Sequence, residues 1–219
     1  MVNSAKASDA HLITALAAGD ESTRLKAALA IGSNPEPGAV DAVVARCAIE
    51  PDFYVRDMLT WALTRLPAQV VVPKLIAELR SERAQARSQA LHTLSKIKDA
   101  DAWPAVTRSL LRDSNDEVAR SAWRAAVALV PKGQEKALAE ELAAQLGRGD
   151  REVQLSLSRA LVTLGEDVIA PALREALASA DPAVQAHASA TERLLREPDA
   201  VSETAVNEAK RRFALGKER

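Results

Sequence analysis

The sequence predicts an all-α fold, an α-solenoid superhelix built from stacked helical hairpins, and three observations predict it. One apolar pattern returns about every 32 residues along the chain. Almost every copy of it opens on Asp or Asn, residues that cap helices. The apolar content, 47% of 219 residues, is mostly Ala, Leu and Val, because aromatics supply only 3%. Ala and Leu are strong helix formers, and small side chains let helices pack closely in layers. A fixed period of this length marks a repeat array, in which each unit buries its apolar face on its neighbour.

The clearest copy runs from Asp52 to Leu66. Its Val55, Leu59, Ala62, Leu63 and Leu66 recur at helical spacing and form one apolar stripe. Aligning on Val55 gives the anchors Thr23, Val55, Ala86, Val118, Val153 and Val184, with gaps of 32, 31, 32, 35 and 31. Three residues before them stand Asp20, Asp52, Arg83, Asn115, Asp150 and Asp181, of which all but Arg83 are good N-caps. A first helix precedes each cap, marked by Leu12 and Leu16, Val44 and Ala48, Leu75 and Leu79, Val106 and Leu110, Leu142 and Leu146, and Leu173 and Leu177. Pro73, Pro104 and Pro171 are expected to open three of these first helices, since a first turn has no use for the missing amide. The stretch Pro131-Lys132-Gly133 absorbs the longer gap.

The predicted organisation is therefore a disordered segment over residues 1–8, an array over 9–201, and a capping helix with a frayed tail over 202–219. The hairpins fall at about 9–34, 38–66, 69–98, 101–130, 134–165 and 167–197. An array needs polar ends, and the last hairpin carries Thr191 and Glu192 where the others are apolar. Ser202 then caps a segment with Ala209 and Phe213 at helical spacing.

These residues carry a family resemblance. Asp-x-x-Val followed by Arg, Gln or Ala, with Ala or Leu four, seven and eight residues after the valine, resembles a HEAT repeat. The nearest subtype is the short one of phycobilin-lyase-like (E–Z type) proteins, over roughly residues 9–197. The resemblance implies a solenoid of about six HEAT-like hairpins. It implies little about activity, because the superfamily includes scaffolds, chromophore lyases, a metal hydroxylase and DNA-repair glycosylases.

Bulk chemistry excludes several classes of function. A formal charge of −1, from 29 basic and 30 acidic residues, gives no global attraction to nucleic acid or membrane. The single cysteine, Cys47, allows no internal disulfide and fits a reducing compartment, with its side chain packed on a helix. Met1 to Ser8 lacks a basic flank and an apolar core, and no apolar run reaches membrane-spanning length, so a cytoplasmic monomer without membrane contact is expected. There is no glycine-rich phosphate loop and no Cys-x-x-Cys, and His11, His92 and His187 lie in different repeats. No metal, no cofactor and no catalytic residue are expected on these grounds.

What remains is the second helix of each hairpin, which lines the concave side in HEAT-like stacks. Positions one, two, six and ten residues after the anchor are expected to face away from the packing stripe. They gather Arg56, Asp57, Trp61, Arg65, Arg87, His92, Lys96, Arg120, Arg124 and Arg159, with Trp123 at the margin, into a predicted concave groove. Trp103, before Pro104, reads as a packing residue instead. Three uses compete for that groove. It is a solvated face that keeps the array soluble, a seat for a protein or peptide partner with acidic or phosphate groups, or a track for nucleic acid on which Trp61 stacks a base. Asp57 and Trp61 on one helix, with Arg124 two repeats on, also resemble the Trp, Asp and Arg with which HEAT-like DNA glycosylases of alkylation repair hold damaged DNA.

Overall fold

The computed structural model describes residues 10–197, which contain helices and no strand. They fall into two compact units that divide between Pro131 and Lys132. The N-terminal unit holds α1 (residues 10–15), α2 (Glu21–Ser33), a 3-10 turn (Pro37–Ala39), α3 (Val40–Cys47), α4 (Phe53–Arg65), α5 (Ala68–Glu78), α6 (Ala84–Ile97), a second 3-10 segment (Ala100–Ala105), α7 (Arg108–Leu111) and α8 (Asp116–Leu129). Within it, α2 packs on α4, α4 on α6 and α6 on α8, which makes one layer of second helices. The first helices α3 and α5 pack on each other and back onto α4 and α6.

The C-terminal unit repeats the plan with α9 (Glu135–Ala143), α10 (Arg151–Thr163), α11 (Glu166–Leu177) and α12 (Pro182–Arg196). Here α10 packs on α12, and α9 on α11. The expected helix starts are met by chemistry as well as position. Asp20, Asp52, Asn115, Asp150 and Asp181 each accept a first-turn amide through the side chain. Each such cap contributes about 1 kcal/mol. Arg83 makes no side-chain cap, and the hydroxyl of Ser81 accepts its amide instead.

The apolar stripes form the core. Val55, Leu59, Ala62 and Leu63 on α4 are buried, as are Ala90, Leu91 and Leu94 on α6 and Val153, Leu157 and Leu161 on α10. Three sequence expectations need correction. Pro73 and Pro171 lie inside α5 and α11 rather than opening them, because those helices begin at Ala68 and Glu166. Each proline orphans one carbonyl, at Gln69 or Asp167, and both residues are exposed, so water can take the place of the lost amide. Pro104 sits in the 3-10 segment, and the fourth first helix is broken, with Val106 outside any helix and α7 only 4 residues long. Thr191 is fully buried instead of forming a polar end. The predicted disordered start and the capping helix over 202–215 lie outside the described residues.

Candidate binding face

Arginine at the position after the anchor turns out to serve the backbone. Arg24 donates through Nη1 to the carbonyls of Ala18 and Gly19, at 3.1 and 2.9 Å. Arg56 does the same to Glu50 and Pro51, at 2.8 and 2.7 Å, and Arg87 to Ser81 and Glu82, at 2.8 and 3.1 Å. These carbonyls end the preceding first helix and its turn, where intrahelical donors are lacking. Arg56 and Arg87, expected in the groove, are thus tied into the turns beneath it. Arg87 is further held by Asp113, with Nη2 at 3.0 Å from a carboxylate oxygen.

At Glu50 this system becomes a buried hub. Its carboxylate has no exposed surface and takes Arg24 Nε and Nη2, both at 2.8 Å, and Arg46 Nε at 2.7 Å. The Asp52 amide adds a further donor at 3.0 Å. The Glu50 carbonyl meanwhile accepts from Arg56 and from Gln85 Nε2. Burial alone would push this carboxyl up, but the two guanidiniums and the amide outweigh it and hold the group at about 2. Nearby Cys47 is buried, which pushes its thiol up to about 12 and leaves it a packing group at neutral pH.

Trp123 is also removed from the groove. It has no exposed surface, and its indole nitrogen donates to the Leu111 carbonyl at 2.9 Å. It closes the core over the broken α7. The sequence held a signal for this, because the same repeat position is filled by Ala28, Thr60 and Leu91, all buried.

What stays on the surface of the N-terminal unit is a row across the second-helix layer. The residue six after each anchor reads Leu29 on α2, Trp61 on α4, His92 on α6 and Arg124 on α8. Leu29 is 40% exposed and Trp61 36%. The indole of Trp61 lies against Gly32 of α2, where a Cβ would overlap its six-membered ring. Of the two residues that build this seat, helical spacing brings Leu29 into the same column as Trp61, though it was not counted among the groove residues, and Gly32 was missed altogether. His92 is half-buried, and its pKa is lowered by that burial and by the charges of Arg124 and Lys96, against an opposing effect of Asp57. Those four groups therefore share one electrostatic neighbourhood. Arg124 is exposed, donates to Ser121 Oγ at 3.1 Å, and has its pKa lowered by desolvation and by Arg120. Arg120 itself pairs with Glu117 at 2.9 Å. Asp57, Arg65 and Lys96 are exposed around the row. Arg159 occupies the equivalent position on α10 of the C-terminal unit and is exposed there.

A second exposed apolar group was not anticipated. Phe53 and Tyr54, at the start of α4, are 65% and 72% exposed and meet edge to face at 5.7 Å. The Arg56 guanidinium stands 6.0 Å from the Phe53 ring centre.

In the C-terminal unit, Ser158 and His187 are within hydrogen-bond reach at 3.1 Å, an arrangement that in an open cleft would suggest a nucleophile and its base. Here both are buried. His187 Nδ1 accepts the Gly147 amide at 2.9 Å, which places the proton on Nε2, facing the Gln154 carbonyl at 2.9 Å. Thr191 completes the cluster at 2.7 Å from Ser158. This is a structural network that joins α10 to α12. Among the described residues no group of His, Cys, Asp or Glu is placed to hold a metal ion, and no helix is long and apolar enough to cross a membrane.

No protein-family profile matches the chain, and no curated protein does. Solved structures do. The complex of CpcE and CpcF of phycocyanin lyase from Nostoc sp. PCC7120 matches with a TM-score of 0.50 at 23% identity, over 85% of this chain and 76% of that one. Two engineered proteins match with TM-scores of 0.48 and 0.49, at 22% and 19% identity, over 87% and 85% of this chain and 97% and 98% of theirs. The phycocyanin lyase likeness and the repeated capped hairpins show an all-α, HEAT-like helical-repeat fold.

Proposed function

We propose that this chain is a non-catalytic binding module, a cytoplasmic monomer whose second-helix face takes a protein or peptide segment bearing acidic or phosphate groups. The observation that carries this reading is the exposed row of Leu29, Trp61, His92 and Arg124, with Arg65 and Lys96 beside it. An aromatic anchor with exposed arginine near it is the chemistry of interface hot spots, and guanidinium groups favour carboxylate and phosphate. Arg159 offers the same group on the second unit. The phycocyanin lyase structure is a complex of two proteins, which agrees with a protein partner for this fold.

The competing occupant is nucleic acid, and one experiment separates the two. Anisotropy with labelled duplex DNA, single-stranded DNA and RNA is measured at low and near-physiological salt, beside a nuclease-treated pull-down. The reading predicts a nuclease-resistant protein partner, lost in an Arg124→Glu, Arg159→Glu variant whose helical content is unchanged. Tight nucleic-acid binding that falls steeply with salt and vanishes in that variant would replace it with phosphate tracking.

A further inference from the structure

The row across the N-terminal unit is graded. Its α2–α4 end is apolar, with Leu29 exposed and the Trp61 ring laid on Gly32. The charges flanking Trp61 on its own helix, Asp57 and Arg65, are opposite in sign and offset each other. The α8 end is cationic, with Arg124 exposed and Lys96 close enough that both depress His92. Burial is the largest cause of the lowered His92 pKa, and beyond it Arg124 and Lys96 each act on the ring more strongly than Asp57 opposes them, so the charges at the α6–α8 end sum to positive. Arg124 stands exposed beside Arg120, and its guanidinium offers charge-assisted hydrogen bonds to an incoming anion.

Resting on the binding role proposed above, we infer that the ligand is an extended peptide segment with two fixed points. A bulky apolar side chain sits on Leu29 and Trp61, and a carboxylate or phosphate group meets Arg124. The separation follows from the helix layer. Packed helices lie about 8–10 Å apart, and two steps, α4 to α6 to α8, span about 20 Å. An extended chain covers that in about six residues at roughly 3.3 Å each. Gly32 is the positioning residue of the apolar point, because a methyl group there would drive the indole off α2 and out of the seat. The displaced atoms are the far end of a half-exposed side chain, so the fold tolerates the change.

The test uses labelled peptides with one Phe and one anionic group separated by about two, six or ten Gly/Ser residues. One arm carries a Glu pair and the other a phosphoserine, which tells carboxylate from phosphate recognition. Binding is read by anisotropy on the full chain. Peptides with the middle spacer are expected to bind at least about tenfold more tightly than those with the short one, a difference of about 1.4 kcal/mol. G32A and R124E are each expected to cost at least tenfold at unchanged melting temperature. Equal affinity at all spacings, no binding by any peptide, or wild-type binding by G32A overturns the two-point ligand. If the pull-down partner is still lost in the Arg124→Glu, Arg159→Glu variant, the binding role survives that failure; if the partner persists there, both fall.

Discussion

The two units solve the same packing problem with different chemistry. Both must join successive second helices and satisfy the turn carbonyls before them. The N-terminal unit does so with ions: Arg24, Arg56 and Arg87 on the carbonyls, and Glu50 buried between Arg24 and Arg46. In the C-terminal unit neutral groups take over. At the corresponding positions Gln154 donates to the Gly149 carbonyl at 3.2 Å and Gln185 to that of Ser179 at 2.7 Å. Its buried link is the Ser158, His187 and Thr191 cluster in place of a carboxylate hub. Arginine after the anchor is therefore one way to close a turn, and its presence is no sign of a binding groove. Arg124 closes no turn: it is exposed and donates only within its own helix, to the Arg120 carbonyl at 3.4 Å and to Ser121 Oγ, and such charge is the better sign.

The largest expected effect is at the ionic hub. Replacing Glu50 by Ala leaves Arg24 and Arg46 facing a buried void, and loss of one partner of a buried pair costs about 3–5 kcal/mol. Urea unfolding should show a drop of that size, and a loss under about 1 kcal/mol would mean the hub is dispensable. Its pH dependence has a definite sign. The folded carboxyl lies at about 2 against an ordinary 4.5, so the unfolded chain binds the proton first. The hub's stabilisation is complete above about pH 4.5 and is lost as pH falls toward 2.

The neutral cluster should respond at a higher pH. Burial lowers the His187 pKa below its ordinary 6.5, so the unfolded state takes the proton more readily. Its contribution is full above about pH 6.5 and shrinks below it. An H187Q chain should lose less stability than wild type over that acid range in thermal melts, and identical slopes would show that His187 is not the group responsible.

A milder exchange tests the equivalence itself. Arg56→Gln places at α4 the amide that Gln154 and Gln185 use elsewhere, and should cost no more than about 1 kcal/mol. A much larger cost would show that the N-terminal unit needs the charge. Smallest of all is Thr60→Val. The buried Thr60 hydroxyl has no hydrogen-bond partner among the described residues, so the swap should leave stability unchanged or raise it by up to about 1 kcal/mol. Destabilisation would point to a bound water at that hydroxyl.

These contrasts also mark what could be read in the sequence. The stripes and the five expected α-helix caps follow from local spacing, because a helix fixes which residues share a face and which side chain reaches the first turn. Trp61 and Arg124 were placed on the open face by the same spacing. The same spacing put Arg56 and Arg87 there too, and they are tied into the turns instead, because a long side chain can curl back five or six residues to a carbonyl, which Cα spacing does not show. The seat at Gly32 depends on two helices meeting, so no single stretch announces it. The broken fourth helix had Pro104 as its cue, but a proline that also suits a first turn could not by itself decide between the two.

The most direct test of the division between structural and binding cations is a paired measurement on R124E and R87A. Each variant is melted and then assayed for capture of the partner. The account predicts that R124E melts like wild type and loses capture, while R87A, deprived of its Asp113 and turn-carbonyl contacts, melts earlier and still captures below its transition. A destabilised R124E with capture intact, beside a stable R87A that captures nothing, would contradict it.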